Sequence, residues 1–231
     1  MSFVVGIDGP AGTGKGTITN LVAKDLNLSQ IDTGAMYRAF TLYMLDNNVE
    51  IDNLEKIKEL LETVEIDLIQ ENDKETVFLN GKDVTSEIRS NKVTKIVSPV
   101  SSIIEVRIKM VELQRKMAEG KNVIMEGRDI TTYVFPNADV KIYLDADVNE
   151  RAKRRYKENI EKGINTTLEE VLSDMKKRDY NDMHKPMGAL KIAEDAVVID
   201  TTNLSIEEVK EKVEKVIKNK INKFWIWENI K

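Results

Sequence analysis

A glycine-rich segment directly after the first apolar run is the strongest constraint on this chain of 231 residues. It follows the β-branched stretch 3–7 and reads Gly9-Pro10-Ala11-Gly12-Thr13-Gly14-Lys15-Gly16-Thr17. Glycine permits positive φ and close backbone approach, so several N–H groups can turn toward one anion. A helix beginning at Lys15 adds its partial positive charge, and the lysine adds a point cation. The segment therefore predicts a loop that binds the phosphates of a nucleoside triphosphate.

The end of this loop differs from the strict Walker A pattern, in which Ser or Thr directly follows the lysine. Here Gly16 follows Lys15, and Thr17 comes one residue later. The Gly-Lys-Gly-Thr ending resembles nucleoside monophosphate kinases more than GTPases, and the dinucleotide-binding pattern G-x-G-x-x-G is absent. Thr17 and Asp8 both remain open as groups that order Mg²⁺ or its waters. We assign no residue as a direct metal ligand.

Apolar runs and helical periodicities alternate along most of the chain. The strand-like runs are 3–7, 123–126, 140–144 and 196–199, and the helical patterns are 15–26, 36–46, 106–119, 148–161, 168–178 and 206–221. Continuous apolar strands that alternate with helices indicate a parallel sheet covered on both faces. We predict an α/β fold with a P-loop core of three layers, α/β/α.

Residues 39–97 break this rhythm and predict a small α+β insertion into a core formed by 1–38 and 98–231. Asn80-Gly81 is a strong hairpin-turn signal, and it follows two segments of alternating apolar residues. A polar and charged stretch near 158–167 predicts a mobile helical loop. The aromatic segment Phe224–Trp227 predicts either docking onto the core or a contact between copies.

Composition excludes several classes of protein. The net charge is −5, so no overall basic field favours nucleic acid or an anionic membrane as partner. There is no cysteine, and His184 is the single histidine, which disfavours thiolate sites, a Ser–His–Asp triad and a multi-histidine metal site. No apolar run reaches the about 20 residues of a membrane span, and the N-terminal run is too short for a secretory signal. We expect a monomer in the cytoplasm.

Arginines near the predicted strand ends suggest a second anion beside the first. They are Arg38, Arg128, Arg154, Arg155 and Arg178. Each alone fits a solvated surface position, but their repeated placement favours phosphate binding, because a guanidinium forks onto phosphate oxygens. Transfer between two polyanions needs cationic stabilisation and positioning more than covalent chemistry. Four of these arginines, Arg128, Arg154, Arg155 and Arg178, are therefore candidate catalytic residues together with Lys15, and Arg38 is a candidate for binding the second anion.

Longer segments resemble the cytidylate kinase family, in the family's order, to about residue 221. The matching segments are Ile31–Arg38, Val97-Ser98 with Arg107, Asp83–Arg89, Met125–Ile130, Val134–Ala138, Arg151–Arg155, Arg178–Asp182, Ala193–Ala196 and Ile199–Thr201. The resemblance implies a P-loop core, an enlarged monophosphate-binding insertion and a short lid near 154–180. It also implies transfer of the γ-phosphoryl group of ATP, with Mg²⁺, to CMP or dCMP.

The resemblance further implies which residues bind the acceptor. The base would contact Ser98, Arg107 and Asp129, and the sugar would contact Arg178 and Asp182. The phosphate would be bound by Thr33, Arg38, Arg128 and Lys185. Tyr37 would line the site or pack beneath it. A carboxylate suits cytosine, because the base carries an amino donor where uracil carries an oxygen acceptor. A buried polar group left unpaired rejects the wrong base strongly.

Some positions depart from the family, and other functions stay open. Lys185 stands where the family usually has arginine, Ala189 where it tends to have proline, and Thr33 where it has serine. These changes leave the affinity for CMP and the choice between ribose and deoxyribose open. The alternatives are a kinase for UMP or dTMP and a nucleotide-binding switch without efficient transfer. A nucleic-acid-binding protein is disfavoured by the net charge.

Overall fold

The structure, a computed structural model, describes residues 2–71 and 74–228, without the side chains of residues 71, 74 and 223–228. The prediction for the aromatic segment Phe224–Trp227 therefore lies outside the described side chains. Within the described residues, none of the helices combines the length and the apolar character needed to cross a bilayer.

A parallel sheet of five strands forms the centre of the fold. Its strands are β1 (Val4–Asp8), β2 (Ser29–Asp32), β6 (Val123–Gly127), β7 (Val140–Asp145) and β8 (Val197–Asp200), in the order β2-β6-β1-β7-β8. Every neighbouring pair is parallel. The carboxyl ends of β1 and β6 lie side by side, with Asp8 opposite Gly127. Loops that leave these two strands therefore start at the same edge of the sheet.

Helices cover both faces of this sheet, which confirms the predicted three-layer α/β fold. The helices around the sheet include α1 (Lys15–Leu26), α2 (Thr33–Asp46), α4 (Asn91–Val100), α5 (Ile104–Ala118), α6 (Val148–Glu161), α7 (Leu168–Met183) and α8 (Ile206–Glu228). Alternate residues of the strands enter two separate buried clusters. Val4 and Met125 pack with α2, α4 and α5, whereas Val5 and Ile124 pack with α1 and α8. Each face of the sheet thus buries its own hydrophobic core.

A smaller unit follows α2. It consists of α3 (Leu54–Thr63) and an antiparallel sheet of β3 (Ile66–Glu71), β4 (Lys74–Leu79) and β5 (Lys82–Asp83). Asn80 and Gly81 form the turn between β4 and β5, with φ of 48° and 78°. Positive φ at both turn residues matches the twist of a two-residue hairpin loop, so the predicted turn is confirmed.

Several elements differ from the sequence prediction. Strand β2 and helix α4 were not expected, and α7 continues five residues beyond the predicted end at Arg178. Residues 158–161 belong to α6, so the connection to α7 comprises 162–167. Helix α7 begins with a capping box, in which Thr167 accepts from the backbone of Glu170 and Glu170 accepts from that of Thr167.

Candidate active site

The loop between β1 and α1 has the conformation that a phosphate-binding loop requires. Gly9, Gly12 and Gly14 have φ of 149°, 82° and 88°, and a Cβ on Gly9 would overlap the carbonyl of Leu144. Lys15 is buried and donates from Nζ to Pro10 O at 2.6 Å. Burial and the nearby Arg128 lower its pKa well below the ordinary value. Burial and a neighbouring positive charge destabilise the protonated lysine, so a bound anion would stabilise it.

The outer side of the loop is anchored by α6 and α7. Arg151 donates to Ala11 O at 3.1 Å, to Ala146 O at 2.9 Å, and to both carboxylate oxygens of Asp179 at 3.2 and 2.7 Å. Thr201 donates from its hydroxyl to Thr13 O at 3.3 Å. The loop carbonyls therefore have partners on the outer side, which favours N–H groups pointing inward.

The two predicted lid arginines have different surroundings. Arg154 donates to Thr201 O at 2.6 Å and to Thr202 O at 3.2 Å, so its guanidinium lies against the loop after β8. Arg155 pairs with Glu158 at 3.0 Å, and its side chain is 37% exposed. Its charge contributes to lowering the pKa of Arg38, after the larger effect of burial. Arg155 therefore acts electrostatically on the acceptor side.

A cavity opens beside the loop at the carboxyl ends of β2 and β6. It brings together all the residues that the sequence analysis assigned to the acceptor: Thr33, Tyr37, Arg38, Ser98, Arg107, Arg128, Asp129, Arg178, Asp182 and Lys185. They come from α2, α4, α5, α7, the turn after β6 and, for Lys185, the segment that follows α7. Glu126 and Ser101 also line the cavity, although the sequence analysis gave them no role.

One end of the cavity is built around an ion pair between Arg107 and Asp129, whose side chains are 2% and 6% exposed. Burial raises the pKa of Asp129 against the opposing effect of Arg107. The guanidinium lies 5.6 Å from the ring centroid of Tyr37. Ser98 Oγ is buried there without a hydrogen-bonding partner. This end thus offers a carboxylate, a guanidinium and a free hydroxyl to a polar ring.

Gly188 closes over this ion pair. It has a φ of +61°, and a Cβ at this position would overlap the guanidinium of Arg107 and the carboxylate of Asp129. The next residue is Ala189, and a proline there would disfavour this backbone conformation at residue 188. Alanine instead of proline at position 189 is therefore compatible with the backbone conformation of Gly188, which packs directly on the Arg107–Asp129 ion pair.

The other end of the cavity is rich in cations. Asp182 pairs with Arg128 at 2.8 Å and with Lys185 at 2.9 Å, and Lys185 also donates to Ser101 Oγ at 2.9 Å. Burial raises the pKa of Asp182, but the charges of Arg128 and Lys185 outweigh burial and hold it well below the ordinary value. The carboxylate is therefore ionised and orients two cations.

Two further guanidiniums at this end lack an acidic partner among the described ion pairs. Arg38 donates to Thr94 Oγ1 at 2.9 Å and Ile88 O at 3.3 Å, and Nε of Arg178 is buried without a partner. Burial, with the charge of Arg155 on Arg38 and of Arg128 on Arg178, lowers both pKa values to about 10. An excess of buried positive charge of this kind favours binding of an anion.

Two carboxyl groups lie near the loop. Asp8 accepts from the backbone of Ile130 at 2.8 Å and of Thr131 at 2.7 Å, and from the Thr131 hydroxyl at 2.6 Å. Burial nevertheless raises its pKa to about 6. Glu126 has one oxygen, Oε1, without a partner, and burial and the charge of Asp32 raise its pKa to about 8. Asp8 thus organises the turn after β6, whereas Glu126 keeps one carboxyl oxygen without a hydrogen-bonding partner.

Comparison with known proteins decides the family. The family model of cytidylate kinases matches residues 5–219. The chain belongs to the cytidylate kinase family. A cytidylate kinase of Halalkalibacterium halodurans is 47% identical over 217 residues, which cover 94% of this chain and 98% of the relative. One of Leuconostoc mesenteroides is 48% identical, covering 96% and 99%, and one of Bacillus subtilis is 45% identical, covering 94% and 96%.

The family resemblance inferred from the motifs is therefore confirmed, and the chain is a kinase of the nucleoside monophosphate class. A crystal structure of an uncharacterised protein from Eubacterium ventriosum shares the fold, with a TM-score of 0.51, 13% identity and coverage of 95% of this chain and 99% of that one. At this identity the likeness concerns the fold alone.

Proposed function

We propose that the enzyme transfers the γ-phosphoryl group of ATP to CMP or dCMP, giving ADP and CDP or dCDP. The observation that carries the proposal is one cavity beside the P-loop that has a polar end around Arg107 and Asp129 and a cationic end. Residues 9–17 would hold the phosphates of ATP, and the ten acceptor residues would hold the monophosphate. Two polyanions would then meet at the carboxyl edge of the sheet.

The Arg107–Asp129 end would select cytosine. Its carboxylate can accept a hydrogen bond from the amino group of cytosine, and Arg107 can donate to the ring nitrogen and carbonyl. Uracil would turn an oxygen acceptor toward the carboxylate. Since the carboxylate is buried, the repulsion between it and the uracil oxygen would disfavour uracil strongly.

The cationic end would bind the acceptor phosphate and stabilise the transferring group. Arg38 and Arg128 supply positive charge around the position of the phosphate. Arg178, which the resemblance assigned to the sugar, has a buried Nε without a partner, and we propose that it joins them at the phosphate. Lys15 would leave Pro10 O and donate to the β- and γ-phosphates. A phosphate oxygen of CMP is already a nucleophile near neutral pH, so positioning and charge stabilisation are the main contributions.

Mg²⁺ would accompany ATP in this site. The groups beside the loop fit a divalent cation, because Glu126 has an unpartnered carboxyl oxygen and the Thr17 residue is exposed on the first turn of α1. When bound, Mg²⁺ neutralises charge on the β- and γ-phosphates.

Residues 39–97 would act as the monophosphate-binding domain, and residues near 154–180 as the lid. Arg155 is the better placed of the two lid arginines to move over ATP, because Arg154 is held by the carbonyls of Thr201 and Thr202. Closure would exclude water, which competes with CMP as the phosphoryl acceptor. The enzyme would act as a monomer in the cytoplasm.

The test is release of ADP from ATP and Mg²⁺ with CMP, dCMP, UMP, AMP, GMP and dTMP as acceptors, with a blank lacking acceptor. We expect CMP and dCMP to give the highest kcat/KM. A lead by another monophosphate would contradict the cytosine assignment but preserve the kinase reaction. ADP release independent of any monophosphate would contradict the proposed transfer.

A further inference from the structure

The turn that follows α7, residues 184–190, is fastened near both of its ends. The backbone N–H of Leu190 donates to Asp182 O at 2.7 Å, which closes the turn against the last residues of the helix. Lys185 lies near the start of the turn, pairs with Asp182 at 2.9 Å and donates to Ser101 Oγ at 2.9 Å. Leu190 is buried, with 4% of its surface exposed. These contacts hold the residues between Lys185 and Leu190 beside the cavity.

Gly188, within this turn, packs on the point where Arg107 and Asp129 meet. A Cβ at position 188 would overlap both Nη2 of Arg107 and Oδ2 of Asp129, and the same two atoms form the ion pair. It would also lie 2.7 Å from Cζ of Arg107, which is closer than a Cβ atom is normally found. A side chain at position 188 therefore fits only if the ion pair or the turn moves.

Few hydrogen bonds set the orientation of this ion pair. Arg107 is 1% exposed, and its Nη1 donates to Ser101 O at 3.1 Å, but its Nε is buried without a hydrogen-bonding partner. The carboxylate of Asp129 does not cap the helical turn that follows it. A binding group whose hydrogen bonds leave its orientation open depends on the packing of its neighbours. Gly188 is the neighbour that contacts both members of the pair.

We infer that Gly188 is a positioning residue for recognition of the base, whose backbone holds the Arg107–Asp129 ion pair in the orientation that contacts the acceptor. The inference rests on the proposed function, because it takes this ion pair as the group that selects cytosine. Gly188 acts through the pair and need not touch the nucleotide. Misplacement of a binding group by about 1 Å can lower activity about 100-fold, so a methyl group at position 188 should be costly.

The test is the steady-state kinetics of Gly188→Ala with CMP and UMP as acceptors, with Gly120→Ala as the matched control. Gly120 also has a positive φ, +71°, but a Cβ there would meet nothing within 4 Å, so the control adds backbone strain without a clash. We expect Gly188→Ala to raise KM for CMP about 10–100-fold and to lower the ratio of kcat/KM for CMP to kcat/KM for UMP. KM for ATP should not change, which shows that the variant is folded. Gly120→Ala should leave all three quantities unchanged.

Combination with Asp129→Ala tests whether Gly188 acts through the ion pair. Asp129→Ala removes the carboxylate, so a further Gly188→Ala should weaken CMP binding much less than it does in the unaltered enzyme, because coupled residues are not additive. Calorimetric titration of CMP measures this even where activity is low.

Three results would overturn the inference. They are an unchanged KM and base preference in Gly188→Ala, an equal loss in Gly120→Ala, and additive effects of Gly188→Ala and Asp129→Ala. Failure of CMP to stimulate ADP release by the unaltered enzyme would contradict the proposed function instead, whatever the variants at position 188 do.

Discussion

Asp129 is the residue that would distinguish cytosine from uracil most directly in the proposed site. Its replacement by Asn keeps the volume but turns an amide toward a base, and it leaves Arg107 without its buried partner. A hydrogen bond to a charged group contributes about 1.5–3 kcal/mol, so kcat/KM for CMP should fall about 10–100-fold. The ratio of kcat/KM for CMP to kcat/KM for UMP should decrease as well. Asp67→Asn, at an exposed position of β3, is the control.

The Asp129→Asn measurement compares kcat/KM for CMP and UMP in the two variants and the unaltered enzyme. An unchanged preference for CMP in Asp129→Asn would show that the base is read elsewhere.

Asp182 makes a testable contribution to the pH dependence of stability. Its pKa lies below the ordinary value in the folded enzyme, because Arg128 and Lys185 outweigh burial. Its ion pairs therefore stabilise the fold fully above the unfolded pKa of about 3.9, and this contribution is lost as pH falls toward the folded value. Asp182→Asn should lower the free energy of unfolding by about 3 kcal/mol at pH 7.

Urea titrations from pH 7 downward measure this difference between the unaltered enzyme and Asp182→Asn. The difference should stay constant to about pH 4 and narrow below it. A difference in the free energy of unfolding that stays constant below pH 4, or increases there, would contradict the assignment of the ion pairs.

At the scale of elements, local sequence predicted the strands that are apolar throughout but not the strand that depends on a neighbour. Strand β2 has one buried residue, Ile31, between polar side chains, and pairing with β6 holds it in place. Helix α4 contains Pro99 near its end, which argues against a helix from sequence alone. Both elements carry or flank acceptor residues, so the site depends on structure that no local pattern indicates.

The sequence predicted which residues line the cavity better than it predicted which of their side chains form ion pairs with one another. Side chains after parallel strands share one edge of the sheet, which brings Arg128 and Asp129 to the P-loop. The partners of these residues lie 22 and 54 positions away, as in Arg107–Asp129 and Arg128–Asp182, and only the fold brings them together. Glu126 was missed because its place in the cavity depends on the fold, although an acid at the end of an apolar strand was a visible signal.

Helices α6 and α7 support the P-loop through hydrogen bonds of the Arg151 side chain. Arg151 joins Ala11 O of the loop to Asp179 of α7, and a lysine cannot make the same forked contacts. Arg151→Lys should therefore raise KM for ATP about tenfold through loss of buried hydrogen bonds, with little change in the affinity for CMP. Steady-state kinetics and CMP titrations test this, with the exposed Lys153→Ala as control. A larger effect on CMP than on ATP would contradict a role in positioning the loop.

At the scale of the whole molecule, the two substrates would bind to opposite sides of one cationic region. Positive charges at Lys15, at the arginines of the cavity and at Arg155 act on one another in the structure. Binding of two polyanions, as proposed, would relieve this mutual repulsion. The fold thus places buried positive charge at the carboxyl edge of the sheet. The Arg107–Asp129 pair, which we propose selects the base, lies beside it.

The most direct test of this account is a crystal structure of the enzyme with CMP, Mg²⁺ and a non-hydrolysable ATP analogue. The account predicts the amino group of cytosine about 3 Å from the Asp129 carboxylate. It also predicts the CMP phosphate among Arg38, Arg128 and Arg178, facing the γ-phosphate at Lys15. A structure in which cytosine lies outside the cavity, or in which its phosphate contacts none of these arginines, would contradict the account.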